Sequence, residues 1–145
     1  MARMLEVMQR MVRGELPPPP IGKLLGMRLV EVAPGEARFE LDADERHTNP
    51  MGTLHGGILC DIADAAMGIA FASTLEEGES FTTLELKINF LKPVWKTKLT
   101  AHGRLVKRGQ TVGMAECDVT NSEGELVARA SSTCLVLRGE QARGR

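Results

Sequence analysis

The chain has 145 residues, 43% hydrophobic and 26% charged, with 18 basic against 19 acidic side chains and a formal charge of −1. One globular domain with a substantial core is expected. The balanced charge gives no electrostatic case for nucleic acid, and four Phe, one Trp and no Tyr argue against a base-stacking surface.

In chain order, residues 1–13 read as an amphipathic helix, with Met4, Leu5, Met8, Met11 and Val12 on one side. It is expected to pack on the domain or on a partner subunit rather than on a membrane. Gly14 ends it, and Pro17 to Pro20 form a stiff extended spacer. Residues 1–20 are thus set apart from the domain proper at 21–138, and 139–145 is a polar tail. Strands are predicted at 27–32 and 36–41, joined by the Pro34-Gly35 turn, followed by a polar loop over 42–53.

A long helix is predicted over about residues 55–74. Between Leu54 and Leu75 it contains no Lys, Arg or Glu, so the rest of the protein should wrap it. The period then changes from helical to two. Leu84, Leu86, Ile88 and Phe90 face one way, and Thr83, Glu85, Lys87 and Asn89 the other. Further strands are predicted at 97–107, 111–120 and 125–137, with turns at Arg108-Gly109-Gln110 and Asn121 to Gly124. Two strands, one buried helix and four strands with short connections give an α+β fold, one antiparallel sheet with a helix across it. Cys60, Cys117 and Cys134 fit neither a disulfide framework nor a zinc site. They read as free thiols of a cytoplasmic protein. No apolar run reaches membrane-spanning length, and no metal site is expected.

On the helix, Ile58, Leu59, Ile62, Ala66 and Ile69 cluster on a sheet-facing side, at about 100° per residue. Cys60, Asp64, Met67, Gly68 and Phe71 lie opposite, and a partner subunit is expected to cover them. Asp64 is central on that side and Asp61 nearer its edge. At the helix start Gly56 and Gly57 either permit close packing or let a ligand oxygen approach the first-turn N–H groups. His55 either caps the helix or takes part in chemistry. Asn49 supplies an amide able to orient water or a carbonyl. A carboxylate, an amide and an open helix start suit attack of water on an acyl group. His47 and His102 show no ligand spacing and receive no role.

Asn49-x-x-Gly52-x-x-His55-Gly56-Gly57, with Asp64 seven residues on, resembles the hotdog-fold acyl-CoA thioesterases of the PaaI-like, phenylacetate-degradation type. The strand TTLELKINFLKPV and the hairpin VKRGQTVGMAECDV carry the same resemblance, which spans residues 21–137. It implies a hotdog fold, dimers often paired into tetramers, and an active site shared between subunits. By position, the Gly56 N–H would polarise the thioester carbonyl, flanked by His55 and Gly57, and Asn49 would hold the carbonyl or the water. Asp64 of the facing chain would be general base or nucleophile, and Thr83 would help place the water. Lys107, Arg108, Gly109 and Gln110 match a hairpin that contacts coenzyme A, and Phe90 to Trp95 lines its path. No cofactor is implied, since coenzyme A is part of the substrate. Two alternatives stay open: a hotdog 3-hydroxyacyl thioester dehydratase or hydratase using His55, and a non-catalytic acyl-CoA binder. The acyl group is unspecified, and the N-terminal helix and proline run lie outside the resemblance.

Overall fold

The computed structural model describes residues 3–145. The first two positions of the expected N-terminal helix lie outside them. That helix, α1 (Arg3–Val12), packs on its own domain: Leu5 and Met8 are buried, and Met8 joins Phe71, Leu75 and Val136 in one cluster. The prolines lead to a short helix α2 (Pro20–Leu25). It opens on a proline, whose missing N–H costs nothing at that position, and stops at Gly26 in the left-handed region at φ 81°.

Strands β1 (Met27–Ala33) and β2 (Glu36–Ala43) precede the long helix α3 (Gly56–Ala72). Strands β3 (Ser80–Phe90), β4 (Thr97–Arg108), β5 (Val112–Thr120) and β6 (Leu126–Leu137) follow it. They form one six-stranded sheet in the order β1-β2-β4-β5-β6-β3, antiparallel at every pairing. The expected α+β architecture is therefore the observed one. Leu41, Leu99, Val119 and Val127 of the sheet meet Ile62, Ala63 and Ala66 of α3 in a core that excludes solvent. The helix lies directly on β4: a Cβ added at Gly103 would fall 2.4 Å from the Ala66 carbonyl. No helix among the described residues is long and apolar enough to cross a membrane.

Two details depart from the sequence pattern. Thr83 pairs with Cys134 and Glu85 with Thr133, so Leu84 is an extra residue in a β-bulge. The bulge resets the alternation. Thr83 turns towards α3, on the same side as Leu86 and Ile88, and Leu84 is 58% exposed. On α3, Met67 and Phe71 are not left for a partner. They are 1% and 0% exposed, because Phe81, Met8 and the sheet already cover that end of the helix. The side left open is narrower and carries Gly57, Cys60, Asp61 and Asp64, both carboxylates reaching solvent.

Candidate active site

The loop into α3 is pinned by its own polar groups. Asn49 Oδ1 accepts from Met51 N at 2.9 Å and Thr53 N at 3.2 Å, and its Nδ2 donates to Thr53 Oγ1 at 2.7 Å. This is an Asx turn, and it uses all of the Asn49 amide except one N–H. Buried His47 donates from Nε2 to the Leu25 carbonyl at 2.9 Å and accepts at Nδ1 from Asp44 N at 3.2 Å. It clasps α2 to this loop, a role with no signal in the sequence, since a lone histidine in a polar loop shows no partner.

At the helix start each glycine has its own reason. His55 is the N-cap, and its Nδ1 accepts from Gly57 N at 2.9 Å. A Cβ at Gly57 would fall 2.9 Å from that nitrogen. A Cβ at Gly56 would fall 2.9 Å from Cζ of Phe90, whose ring leans over the helix end. Gly57 N–H is spent on His55, and Ile58 N–H on the His55 carbonyl at 3.0 Å. Gly56 N–H is the first-turn donor without an acceptor among the described residues, at the positive end of the helix. His55, Gly56, Gly57 and Phe90 are thus brought together, and the cap requires the His55 tautomer with its proton on Nε2.

Two turns on, Thr83 Oγ1 donates to Asp64 Oδ1 at 3.4 Å, and Cys134 Sγ lies 3.9 Å behind the same hydroxyl. Partial burial pushes the Asp64 carboxyl above the usual aspartate value. The Thr83 hydrogen bond opposes the shift, and the nearby Asp61 charge adds to it. Burial raises Asp61 as well. The Cys134 thiol is pushed up by burial, which leaves it inert beside the carboxylate.

The third group lies beyond the far end of α3. Arg108 stacks 5.2 Å from the Phe71 ring centroid and pairs with Glu79 at 3.1 Å. Arg138 pairs with Glu79 at 2.7 Å and donates to the Gln110 carbonyl at 2.6 Å. Gly109 N donates to the Val112 carbonyl to close the hairpin, and Lys107 is exposed. The Arg108 charge is therefore already engaged within the chain. Along α3, eight residues separate Gly56 from Asp64 and fifteen separate Gly56 from Phe71, roughly 12 and 22 Å at 1.5 Å per residue. One chain presents three groups along one rod and does not bring Gly56 to Asp64.

Residues 51–128 match the family model described as thioesterase superfamily. The chain is 33% identical over 116 residues to acyl-coenzyme A thioesterase 13 of Homo sapiens, covering 77% of this chain and 81% of that protein. It superposes on the phenylacetic acid degradation-related protein of Ralstonia eutropha JMP134 with a TM-score of 0.80 and 33% identity, covering 88% of this chain and 98% of that one. Its likeness to the PaaI protein of E. coli has a TM-score of 0.82 at 21% identity, over 94% and 97% of the two chains, and shows the hotdog fold.

Proposed function

The chain belongs to the thioesterase superfamily and is a thioester hydrolase, and on that premise we propose that it cleaves acyl-CoA at a site shared by two copies. Asp64 of one copy takes a proton from water as the water oxygen adds to the thioester carbonyl. The oxyanion is held at Gly56 N–H of the other copy. Its collapse breaks the C–S bond, and the coenzyme A sulfur leaves with the proton that Asp64 took. The products are a free acid and coenzyme A. A carboxyl raised towards neutrality is a better proton acceptor than an ordinary aspartate, and an unspent N–H at a helix start is a ready oxyanion donor.

The observation that carries the shared site is the spacing: the oxyanion donor and the base stand roughly 12 Å apart on one rigid helix, too far to act on one carbonyl. The second copy is drawn to the free edge strand β3, which carries Leu84, and to the open stripe of α3. Thr83 holds Asp64, and Asn49 shapes the loop and offers its remaining N–H. Phe90 flanks the thioester, and Lys107 with the backbone of Gly109 and Gln110 receives coenzyme A. His55 acts through its cap, since the Nδ1 lone pair that a dehydratase would use as base is occupied. The test is complementation. Asp64→Asn and Gly56→Val, each weakly active alone, are mixed after mild dissociation. A shared site regains activity, because a mixed dimer holds one intact site. No recovery, with mixed dimers shown by mass spectrometry, would place the chemistry within one chain.

A further inference from the structure

The N-terminal segment, which lies outside the matched family region, is built against the carboxylate. Met11 of α1, Pro18 and Pro19 of the connector, and Ile21 and Gly22 of α2 form one wall of a cavity of about 220 Å³. The opposite wall holds Asp64, Ala65, Gly68 and Thr83, with Phe39 and Phe81 beside them. This segment is clasped at both ends, by Met8 in the core and by the His47 bond to the Leu25 carbonyl. It is also closed on itself, since a Cβ at buried Gly22 would lie 3.4 Å from Pro18 Cβ. Asp64 is the one charged side chain in the cavity wall among the described residues, so an occupant is uncharged and apolar. About 150 Å³ already accommodates benzene. The cavity therefore holds one ring with a short spacer, or an aliphatic chain of similar bulk.

On its far side lies a groove of about 670 Å³ between the connector and β1. Met11, Pro18, Met27 and Leu29 line both spaces and divide them. We infer that the N-terminal strap gauges the acyl group of the substrate and that Met11 sets its length limit, selecting aryl and short-to-medium acyl thioesters. This rests on the acyl-CoA reading above. Methionine suits the position because its unbranched side chain fills irregular space and yields to a one-residue change.

The test compares the full-length wild type with Met11→Ala, Met11→Phe and Leu24→Ala, an exposed strap residue outside the cavity wall. Each is assayed for kcat/KM on phenylacetyl-, hexanoyl- and dodecanoyl-CoA. The wild type is expected to favour the first two. Met11→Ala opens the divide and raises the dodecanoyl-to-hexanoyl ratio about tenfold, the scale on which an apolar pocket discriminates by size. Met11→Phe lowers that ratio, and Leu24→Ala leaves it unchanged. Identical ratios in all four proteins would overturn the inference. If none of the substrates is hydrolysed, the acyl-CoA hydrolase reading falls. Binding of the corresponding thioether analogues then decides the gauge: a chain-length preference that shifts in Met11→Ala upholds it, and one that does not shift refutes it.

Discussion

Asp64→Asn separates the chemistry from the fold. The amide is the same size as the carboxylate and its Oδ1 still accepts from Thr83, so the packing around β3 is kept. The Thr83 contact is 3.4 Å, at the long end for an O–H donor, so its own contribution is small. What the substitution removes is a proton acceptor, worth about 10²–10⁴ in rate, or roughly 3–5 kcal/mol of barrier. Stability should move the other way. The Asp64 carboxyl titrates above its ordinary value in the folded chain, so folding favours its protonated form. Between the ordinary value of 3.8 and the raised one, the native state holds more protons than the unfolded state, and stability falls as pH rises. Asn carries no such penalty. The variant should melt higher than wild type at pH 7, and this advantage should vanish as pH drops below 3.8. Coenzyme A release measured with a thiol reagent, and calorimetry at several pH values, read the two effects. A folded variant that hydrolyses within a few-fold of wild type would refute the role of Asp64. A lower melting point at pH 7 would refute the account of its burial.

Three further outcomes follow from single contacts. Gly103→Ala drives a Cβ into the Ala66 backbone at 2.4 Å, which no rotamer relieves. It should cost at least the upper end of the about 1–3 kcal/mol typical of overpacking, seen as a lowered denaturation midpoint. Gly56→Ala pushes the exposed Phe90 ring off the helix end, so stability should change little while kcat/KM falls by up to about 100-fold; equal losses in both would contradict this. Glu79→Gln weakens the pairs to Arg108 and Arg138 at a cost of about 1 kcal/mol at pH 7. The Glu79 carboxyl is held below its usual value by the Glu76 N–H and then by the two arginines. Its contribution is therefore present above the ordinary glutamate value and lost as pH falls through the depressed one, so the two melting curves should converge in acid.

Much of the fold was legible because its signals are local. Alternation along β2, the turn at Pro34-Gly35 and the run after Leu54 without Lys, Arg or Glu are each local signals, and each lies where the sequence puts it. The orientation of Thr83 was not legible. A single bulged residue leaves the apolar pattern of Leu84 and Leu86 looking continuous while the pleat beneath it is reset. The burial of Phe71 depends on α1 and β3 arriving from distant parts of the chain, and that of Met67 on the sheet, none of which a helical wheel contains. The glycine pair marks a place of close approach, but the groups that approach it, Phe90 and His55, are visible only in three dimensions. The N-terminal helix could be read as amphipathic, yet its nearness to Asp64 is a product of the turn made by α2 and the His47 clasp.

The bulge at Leu84 divides β3 into two reading frames. Residues 80–83 present alternate side chains in the frame that serves the carboxylate. Residues 85–90 do so in the frame that serves the core and the helix entrance. The strand therefore tolerates exchange of a side chain better than a change of its length. Removing Leu84 itself would merge the frames with Thr83 and Phe90 still on the α3 side, but a one-residue change on either side of the bulge would turn the Thr83 hydroxyl or the Phe90 ring away from α3. In a lineage of such chains, changes of length on either side of the bulge would be held back more strongly than exchanges at exposed Lys87 and Asn89.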